Sequence, residues 1–229
     1  MKQAALIIPA AGTGSRMNRD LPKPFIEIAG KSILWHTLKC FVNVENISEV
    51  VLAVSDEYHD RAKQIASELF PAENVFVVSG GTERQDSIKN ALLKLDETIK
   101  LVIIHDAVRP FIKCDIIETC MEKALEKGAS IVAVPAKDTI KKVDQTGLID
   151  STPERNQLWQ AQTPQVFLKD IIMKAYRHAE EIGYTGTDDS SLVEKAGCEV
   201  FVVKGDRENF KITYPVDMKL AELLIGKEI

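Results

Sequence analysis

Short apolar runs alternate with longer amphipathic segments along the first half of the chain. The runs are rich in branched residues and cover residues 4–8, 50–54, 75–78 and 101–104. Between them, apolar residues recur at helical spacing, as at Ala62, Ile65, Ala66 and Leu69. Parallel strands need long crossovers, which are usually helices. The pattern therefore predicts an α/β fold in which helices cover both faces of a mostly parallel sheet.

The second half continues this alternation but contains one interruption. The spacing predicts a helix from about residue 115 to 127 and a strand at 131–134, and residues 138–152 then alternate in short steps around the turn residues 144–147. Before the hairpin, a short strand is also predicted at 25–28. After it, we predict a helix at about 169–181, a second helix with Thr187 as its N-cap, a strand at 199–203 and a closing helix.

The hairpin predicts an arm inserted into a single domain. We expect one domain over residues 1–229 and an arm over residues 136–158, after which the chain re-enters the body at 158–167. A two-stranded hairpin is only marginally stable by itself. We therefore expect the arm to pack on a second copy of the chain, which predicts a homodimer.

Composition limits the partners that this protein can have. The 229 residues carry a formal net charge of −5, with a sequence pI near 5.5. An acidic protein lacks the basic surface that binds nucleic acid, so a phosphate site here must be local. No apolar run approaches the length of a membrane span, and the N-terminus has no signal-peptide pattern. We expect a cytoplasmic protein that binds neither nucleic acid nor membrane.

The loop after the first strand indicates a phosphate site. Small residues between Pro9 and Gly14 let backbone N–H groups approach a ligand, and Arg16 and Lys23 follow closely. Two standard motifs do not fit this region. Met17 stands where the dinucleotide fingerprint needs its third glycine, and Phe25 stands where a P-loop ending at residues 30–32 needs its first.

Two other segments add candidate chemistry to that loop. Asp106 follows the strand at 101–104, and Lys211 lies in a late polar segment. Ligands of parallel sheets gather at the carboxyl ends of the strands, so the loops after residues 8, 78 and 104 should meet in one crevice. A carboxylate there suits a magnesium ion. Together these residues predict phosphoryl or nucleotidyl transfer, in which cations stabilise charge on phosphate oxygens.

The motifs together closely resemble the 2-C-methyl-D-erythritol 4-phosphate cytidylyltransferase family. The resemblance covers nearly the whole chain and is carried by these segments: Pro-Ala-Ala-Gly-x-Gly-x-Arg-Met at 9–17, Pro-Lys at 22–23, Gly-Gly-x-x-Arg-x-x-Ser at 80–87, His-Asp-Ala-Val-Arg-Pro at 105–110, Thr-Pro-Gln at 163–165, Thr-Asp at 187–188 and Asn-x-Lys-Ile-Thr at 209–213. It implies a Rossmann-like fold of the nucleotide-diphospho-sugar transferase type. It also implies a reaction of CTP with methylerythritol 4-phosphate that releases pyrophosphate and depends on magnesium.

The resemblance also assigns roles to individual residues. The CTP site would comprise Pro9, Ala10, Ala11, Gly12, Thr13, Gly14, Gly80, Gly81, Arg84, Ser87 and Asp106. The methylerythritol phosphate site would comprise Asp106, Arg109, Thr139, Arg155, Thr163, Thr187 and Lys211. The catalytic group would comprise Arg16, Lys23, Arg155 and Lys211. Asp106 would also bind the metal, and Thr139 and Arg155 would reach the neighbouring subunit's site from the swapped arm.

Alternatives to this function remain open at the level of sequence. Ribitol 5-phosphate cytidylyltransferase shares the CTP site, although the start at residues 9–12 and the segment 187–191 favour the methylerythritol enzyme. A non-catalytic nucleotide-binding module would keep the glycine loop but has no need of Arg16, Lys23, Asp106 and Lys211 together. His105 could be a general base, but an attacking phosphate is already ionised at neutral pH, so we expect a structural role.

Overall fold

A seven-stranded sheet forms the centre of the molecule. The computed structural model describes residues 3–12 and 21–226. Its strands span Ala4–Pro9 (β1), Ile47–Val54 (β4), Val75–Ser79 (β5), Leu101–Ile104 (β6), Ala129–Pro135 (β7), Trp159–Leu168 (β10) and Phe201–Lys204 (β11). Their order in the sheet is β11-β7-β10-β6-β1-β4-β5. Two small ladders pair Glu27–Ile28 (β2) with Lys31–Ser32 (β3), and Lys142–Val143 (β8) with Ile149–Ser151 (β9).

The predicted parallel arrangement with helices on both faces is confirmed. Strands β5, β4, β1 and β6 are parallel to one another, and β11 is parallel to β7. The helices are Ile33–Lys39 (α1), His59–Ser67 (α2), Arg84–Leu92 (α3), Cys114–Lys127 (α4), Lys169–Glu181 (α5), Asp189–Lys195 (α6) and Pro215–Ile225 (α7). Leu6 packs with residues of α1, α2 and α4, whereas Ile7 packs with residues of α3, α5 and α6. Alternate β1 residues thus fill two separate cores, which fixes the helices on opposite faces.

Strand β10 is the main element that the apolar pattern does not predict. It lies between β6 and β7 and runs antiparallel to both. Its polar residues Gln162 and Gln165 are buried and satisfied by hydrogen bonds, so the strand has no continuous apolar run. The register with β7 shifts between Ala161 and Gln165. This bulge takes residues 162–164 out of the ladder, and Thr163 leaves the regular alternation near the carboxyl end of β6.

The inserted hairpin is present and projects from the β7–β10 pair. In its turn, Asp144 Oδ1 accepts hydrogen bonds from the backbone N–H groups of Thr146 and Leu148, and Gly147 takes a φ of 87°. The arm exposes large apolar side chains: Ile140, Val143, Leu148, Ile149 and, at its base, Trp159. These residues belong to none of the three apolar cores in the part of the chain that the structure describes, so the arm has apolar surface available for a partner.

Two local expectations are wrong. The strand predicted at 25–28 is confined to β2, because Phe25 belongs to a short 3-10 turn over Lys23–Phe25 and packs into the core. The N-cap of α6 is Asp188 rather than Thr187, since the Asp188 side chain accepts from the N–H of Ser191. Among the residues that the structure describes, every helix is too short or too polar to cross a bilayer.

Candidate active site

The carboxyl ends of β1, β5 and β6 converge on one cavity of about 300 Å³, as their positions in the sheet predict. We call it the first pocket. Most of the predicted CTP-site residues and two predicted catalytic lysines line it: Pro9, Ala10, Ala11, Gly12, Lys23, Gly81, Arg84, Ser87, Asp106 and Lys211. The predicted residues Thr13, Gly14 and Arg16 lie outside the described residues.

Glycines bring two walls of the first pocket together. The N–H of Ala10 donates to the Ala53 carbonyl, and that of Gly80 donates to the Val54 carbonyl, both at 2.7 Å, so both loops leave the sheet side by side. A Cβ atom at Gly80 would collide with that of Ala11. Ser87 fixes the second loop, because its hydroxyl accepts from the Gly81 N–H at 3.0 Å and donates to the Glu83 carbonyl at 3.2 Å.

Asp106 lies at the centre of a cationic cluster. Its carboxylate is 3.1 Å from Lys211 Nζ, 3.1 Å from Arg109 Nε and 3.6 Å from Arg84 Nε. Burial of Asp106 alone would raise its pKa, but Lys211, Arg84 and Arg109 together hold that pKa well below the usual range. The carboxylate is therefore ionised at neutral pH. Three cations around one anion leave net positive charge, which is suited to binding phosphate groups.

A buried pair that the sequence did not reveal holds Arg84 in this cluster. Arg84 Nη2 donates to Asp189 Oδ2 at 2.8 Å, and the Tyr176 hydroxyl donates to Asp189 Oδ1 at 2.6 Å. Burial would lower the pKa of Arg84, yet the carboxylates of Asp189 and Asp106 raise it. Burial and the Asp189 carboxylate raise the pKa of Tyr176 as well. In the sequence, Asp189 only lies near the start of the helix predicted after Thr187, which gives no sign of this contact.

A second pocket of about 290 Å³ adjoins the first and shares Arg84, Asp106 and Lys211 with it. It brings together the predicted substrate residues Arg109, Thr163 and Thr187. Two residues that belong to the sequence motifs but had no assigned role, Asn209 and Gln165, hold these side chains or their neighbours in position. Arg109 Nη1 donates to the Asn209 carbonyl at 2.8 Å, and Gln165 Nε2 donates to Asp188 Oδ2 at 2.7 Å beside Thr187.

Thr139, Arg155 and His105 lie outside the two pockets, whereas Lys23 belongs to the wall of the first. Thr139 and Arg155 are exposed on the arm, line neither pocket, and Arg155 Nη1 donates to the Lys137 carbonyl at 3.2 Å. His105 is fully buried beneath the Asp106 loop, and this burial lowers its pKa to about 4. Lys23 is buried in the wall of the first pocket, where its ammonium donates to the Thr213 carbonyl at 2.8 Å.

The side chains supply few ligands for a resident metal ion. Within the described ranges 3–12 and 21–226, no group of three histidine, cysteine, aspartate or glutamate side chains is arranged to hold one. The four cysteines are free. Asp106, which the sequence assigned to magnesium, is a single carboxylate whose oxygens contact cations. A magnesium ion at this position would need most of its ligands from a substrate and from water.

Comparison with known proteins identifies the family. The family model described as "IspD: 2-C-methyl-D-erythritol 4-phosphate cytidylyltransferase" matches residues 4–227. A curated protein of that name from Clostridioides difficile (strain 630) is 45% identical over 98% of this chain and 94% of its own length. Another, from Solibacter usitatus (strain Ellin6076), is 42% identical over 99% of this chain and 97% of its own length.

Solved structures agree with the sequence relatives. The 4-diphosphocytidyl-2C-methyl-D-erythritol synthase from Anaerococcus prevotii DSM 20548 is similar with a TM-score of 0.88 and 33% identity, covering 98% of this chain and 96% of that one. Relatives by sequence and a solved structure thus match nearly the whole chain. The chain therefore belongs to the 2-C-methyl-D-erythritol 4-phosphate cytidylyltransferase family.

Proposed function

We propose that this chain joins CTP to 2-C-methyl-D-erythritol 4-phosphate, forming 4-diphosphocytidyl-2-C-methyl-D-erythritol and pyrophosphate in the non-mevalonate route to isoprenoids. The observation that carries the proposal is the pair of adjoining pockets with Arg84, Asp106 and Lys211 on their common boundary. One phosphate oxygen of the acceptor attacks the α-phosphorus of CTP, a P–O bond forms, and the bond to the β-phosphate breaks. The charge that develops on the phosphate oxygens lies beside this cationic boundary.

The first pocket is the proposed CTP site. The glycine loops at Ala10–Gly12 and Gly80–Gly81 present backbone groups at close range, which suits the nucleoside and the triphosphate. The ammonium of Lys23 faces a phosphate chain in the same pocket and offsets the charge of the leaving pyrophosphate. Arg16, from the part of the loop outside the described residues, has the same proposed role on sequence grounds alone.

The second pocket is the proposed site for the polyol phosphate. Arg109 and Thr187 line it without lining the first pocket, and Lys211 lies on the boundary. Lys211 positions the attacking phosphate by its positive charge, because its ammonium is close to both pockets. An ionised phosphate needs no general base, so positioning and charge are sufficient for the attack.

Magnesium fits this site as an ion that arrives with the nucleotide. Mg²⁺ commonly takes one or two protein carboxylates and otherwise phosphate oxygens and water. Asp106 offers one ionised carboxylate on the wall of the first pocket. When bound, the ion would neutralise charge on the triphosphate and orient its oxygens. Activity should disappear with a chelator and return with Mg²⁺, and Asp106→Asn should raise the Mg²⁺ concentration that gives half-maximal rate.

A homodimer formed through the arm is proposed as the active species. The exposed apolar residues Leu148 and Ile149 on the arm are 70% and 55% accessible, which is costly unless a partner covers them. Thr139 and Arg155 project from the same arm and line neither pocket of their own chain. In a two-fold dimer each arm would supply both side chains to the neighbouring second pocket.

A pyrophosphate-release assay tests the reaction. Turnover with CTP should require 2-C-methyl-D-erythritol 4-phosphate, and ribitol 5-phosphate should support at most a small fraction of that rate. Preferred turnover of ribitol 5-phosphate would replace the proposed acceptor. CTP binding without turnover of either acceptor would overturn the transferase function.

Subunit complementation tests the shared site. Arg155→Ala should raise the polyol phosphate KM by about tenfold with little change for CTP, whereas Arg177→Ala, which removes an exposed arginine from α5, should change neither. In a mixed dimer, the intact arm of the Lys211→Ala subunit would reach the intact pocket of the Arg155→Ala subunit, so one of the two sites would be complete. At a polyol phosphate concentration well below KM, where Arg155→Ala alone is about tenfold less active, about a quarter of wild-type activity should return from random reassortment. No recovery in dimers shown to have exchanged subunits would contradict the shared site.

A further inference from the structure

The segment His105–Pro110 is held in place mainly through its own backbone. The Arg109 N–H donates to the Asp106 carbonyl at 3.2 Å and closes a turn. Thr37 Oγ1, from α1, donates to the Ala107 carbonyl at 3.0 Å. Thr163 Oγ1, from β10, accepts from the Asp106 N–H at 3.0 Å. Both Asp106 and Arg109 therefore project into the pockets from a turn whose position is set by side chains outside it.

His105 completes this set of contacts from below the turn. Its imidazole is 0% exposed, with Nε2 3.0 Å from the Arg109 carbonyl and Nδ1 3.0 Å from Thr163 Oγ1. A carbonyl oxygen can only accept, so Nε2 must carry the proton and donate. In the neutral ring Nδ1 is then an acceptor, and the Thr163 hydroxyl must donate to it. Every polar atom of the imidazole is thus used within the protein.

We propose that His105 is a positioning residue of the transfer reaction: its Nε2–H holds the Arg109 carbonyl while its Nδ1 orients the Thr163 hydroxyl, and together these contacts fix the Asp106–Arg109 turn between the two pockets. The inference rests on the proposed role of Arg109 in binding the polyol phosphate. His105 itself lines neither pocket, so it would act on the substrates only through the turn.

This arrangement changes what Thr163 can offer a ligand. A threonine hydroxyl has one proton and two lone pairs. Its proton is committed to His105, and one lone pair accepts from the Asp106 N–H. Thr163 therefore has only an acceptor left for a substrate in the second pocket, and its main contribution is to keep the backbone of Asp106 in place.

Two substitutions separate the two hydrogen bonds of the imidazole, because each keeps a polar group near only one of its nitrogens. In His105→Asn the short amide places an oxygen near the Nδ1 position but has no group that reaches the Arg109 carbonyl. In His105→Gln the longer amide keeps a donor near the Nε2 position. His105→Asn should raise the polyol phosphate KM about fivefold, the effect of one lost hydrogen bond, with the CTP KM within about twofold. His105→Gln should stay within about twofold for both substrates.

A core substitution controls for lost stability. Ile117→Val trims a fully buried side chain of α4 and should lower the melting temperature without moving either KM. An equal rise of both KM values in His105→Asn, or wild-type KM values with only a lower melting temperature, would overturn the positioning role. If His105→Asn does not fold, His105→Gln and Thr163→Val provide the test, because each removes the hydrogen bond between His105 Nδ1 and Thr163 Oγ1. The double variant should then lose no more kcat/KM than the worse single variant.

A double-mutant cycle separates this inference from the proposed function. Arg109→Ala should itself raise the polyol phosphate KM, and in that background His105→Asn should have no further effect on it, because the two act through one guanidinium. If Arg109→Ala leaves that KM unchanged, the proposed substrate role of Arg109 is wrong. If Arg109→Ala raises the KM but the two effects multiply independently, the substrate role survives and the positioning role of His105 is refuted.

Discussion

Replacing Asp189 by asparagine should destabilise the fold by about 2 kcal/mol. The carboxylate is 1% exposed, 2.8 Å from Arg84 Nη2 and 2.6 Å from the Tyr176 hydroxyl. Removing one partner from a fully buried ion pair costs about 3–5 kcal/mol. Two observations lower that figure: the Arg84 side chain is 32% exposed, so water screens it, and Asp106 remains 3.6 Å from its Nε. The asparagine oxygen can also keep the contact with Tyr176.

Urea unfolding gives the measurement, and a surface pair gives the control. The loss should appear as a lower midpoint at unchanged slope, and as a fall in melting temperature of about 4–8 °C. Glu180→Gln removes one partner from the exposed pair Lys89–Glu180, whose atoms are 2.6 Å apart, closer than Arg84 and Asp189. It should cost less than about 0.5 kcal/mol, because burial rather than distance sets the value.

A mutant cycle with Arg84→Met isolates the interaction of the two side chains. Asp189→Asn should be at least about 1 kcal/mol less destabilising in the Arg84→Met background than in the wild type, since the partner charge is then already absent. Equal costs in both backgrounds would show that the carboxylate stabilises the fold through something other than Arg84. A cost no larger than that of Glu180→Gln would refute the argument from burial.

The remaining predictions concern the loops, the boundary and the arm. Gly80→Ala should raise the CTP KM about tenfold, because its Cβ would push Ala11 out of position. Gly12→Ala, whose added Cβ has no atom of the described residues 3–12 and 21–226 within 4 Å, should leave the melting temperature unchanged. Lys211→Ala should lower kcat at saturating substrates by about 100-fold, and a fall in CTP affinity alone would contradict its place on the boundary. Leu148→Glu should convert dimers to monomers in light scattering; unchanged mass would place the dimer contact elsewhere.

The parallel half of the sheet is predictable from sequence because its strands are buried on both faces. Such strands are continuous apolar runs, as at residues 50–54 and 101–104, and the helices between them show a clear period. Strand β10 gives neither signal. Its buried Gln162 and Gln165 are tolerated only because their amides bond to the Asp206 carbonyl and to Asp188, partners that sequence order does not reveal.

The candidate site likewise has a part that the sequence predicts and a part that it does not. Short motifs predicted the glycine loops, Asp106 and Lys211, since each follows a recognisable strand or belongs to a compact pattern. The pairing of Arg84 with Asp189 joins residues that are 105 positions apart, and neither residue is unusual in its local sequence. Long-range contacts of this kind depend on how α3, α5 and α6 pack on one face of the sheet.

The place of β10 in the sheet has a consequence for synthesis on the ribosome. Within the described sheet, β11 and β7 connect to the other four strands through β10 alone. The unit β5-β4-β1-β6 can assemble once residue 104 has emerged, but β6 then keeps an open edge until residue 168 has followed. During that interval the apolar segment Leu101–Ile104 is a template for pairing with another nascent chain. The arm lies between β7 and β10, so it leaves the ribosome immediately before the strand that closes this edge.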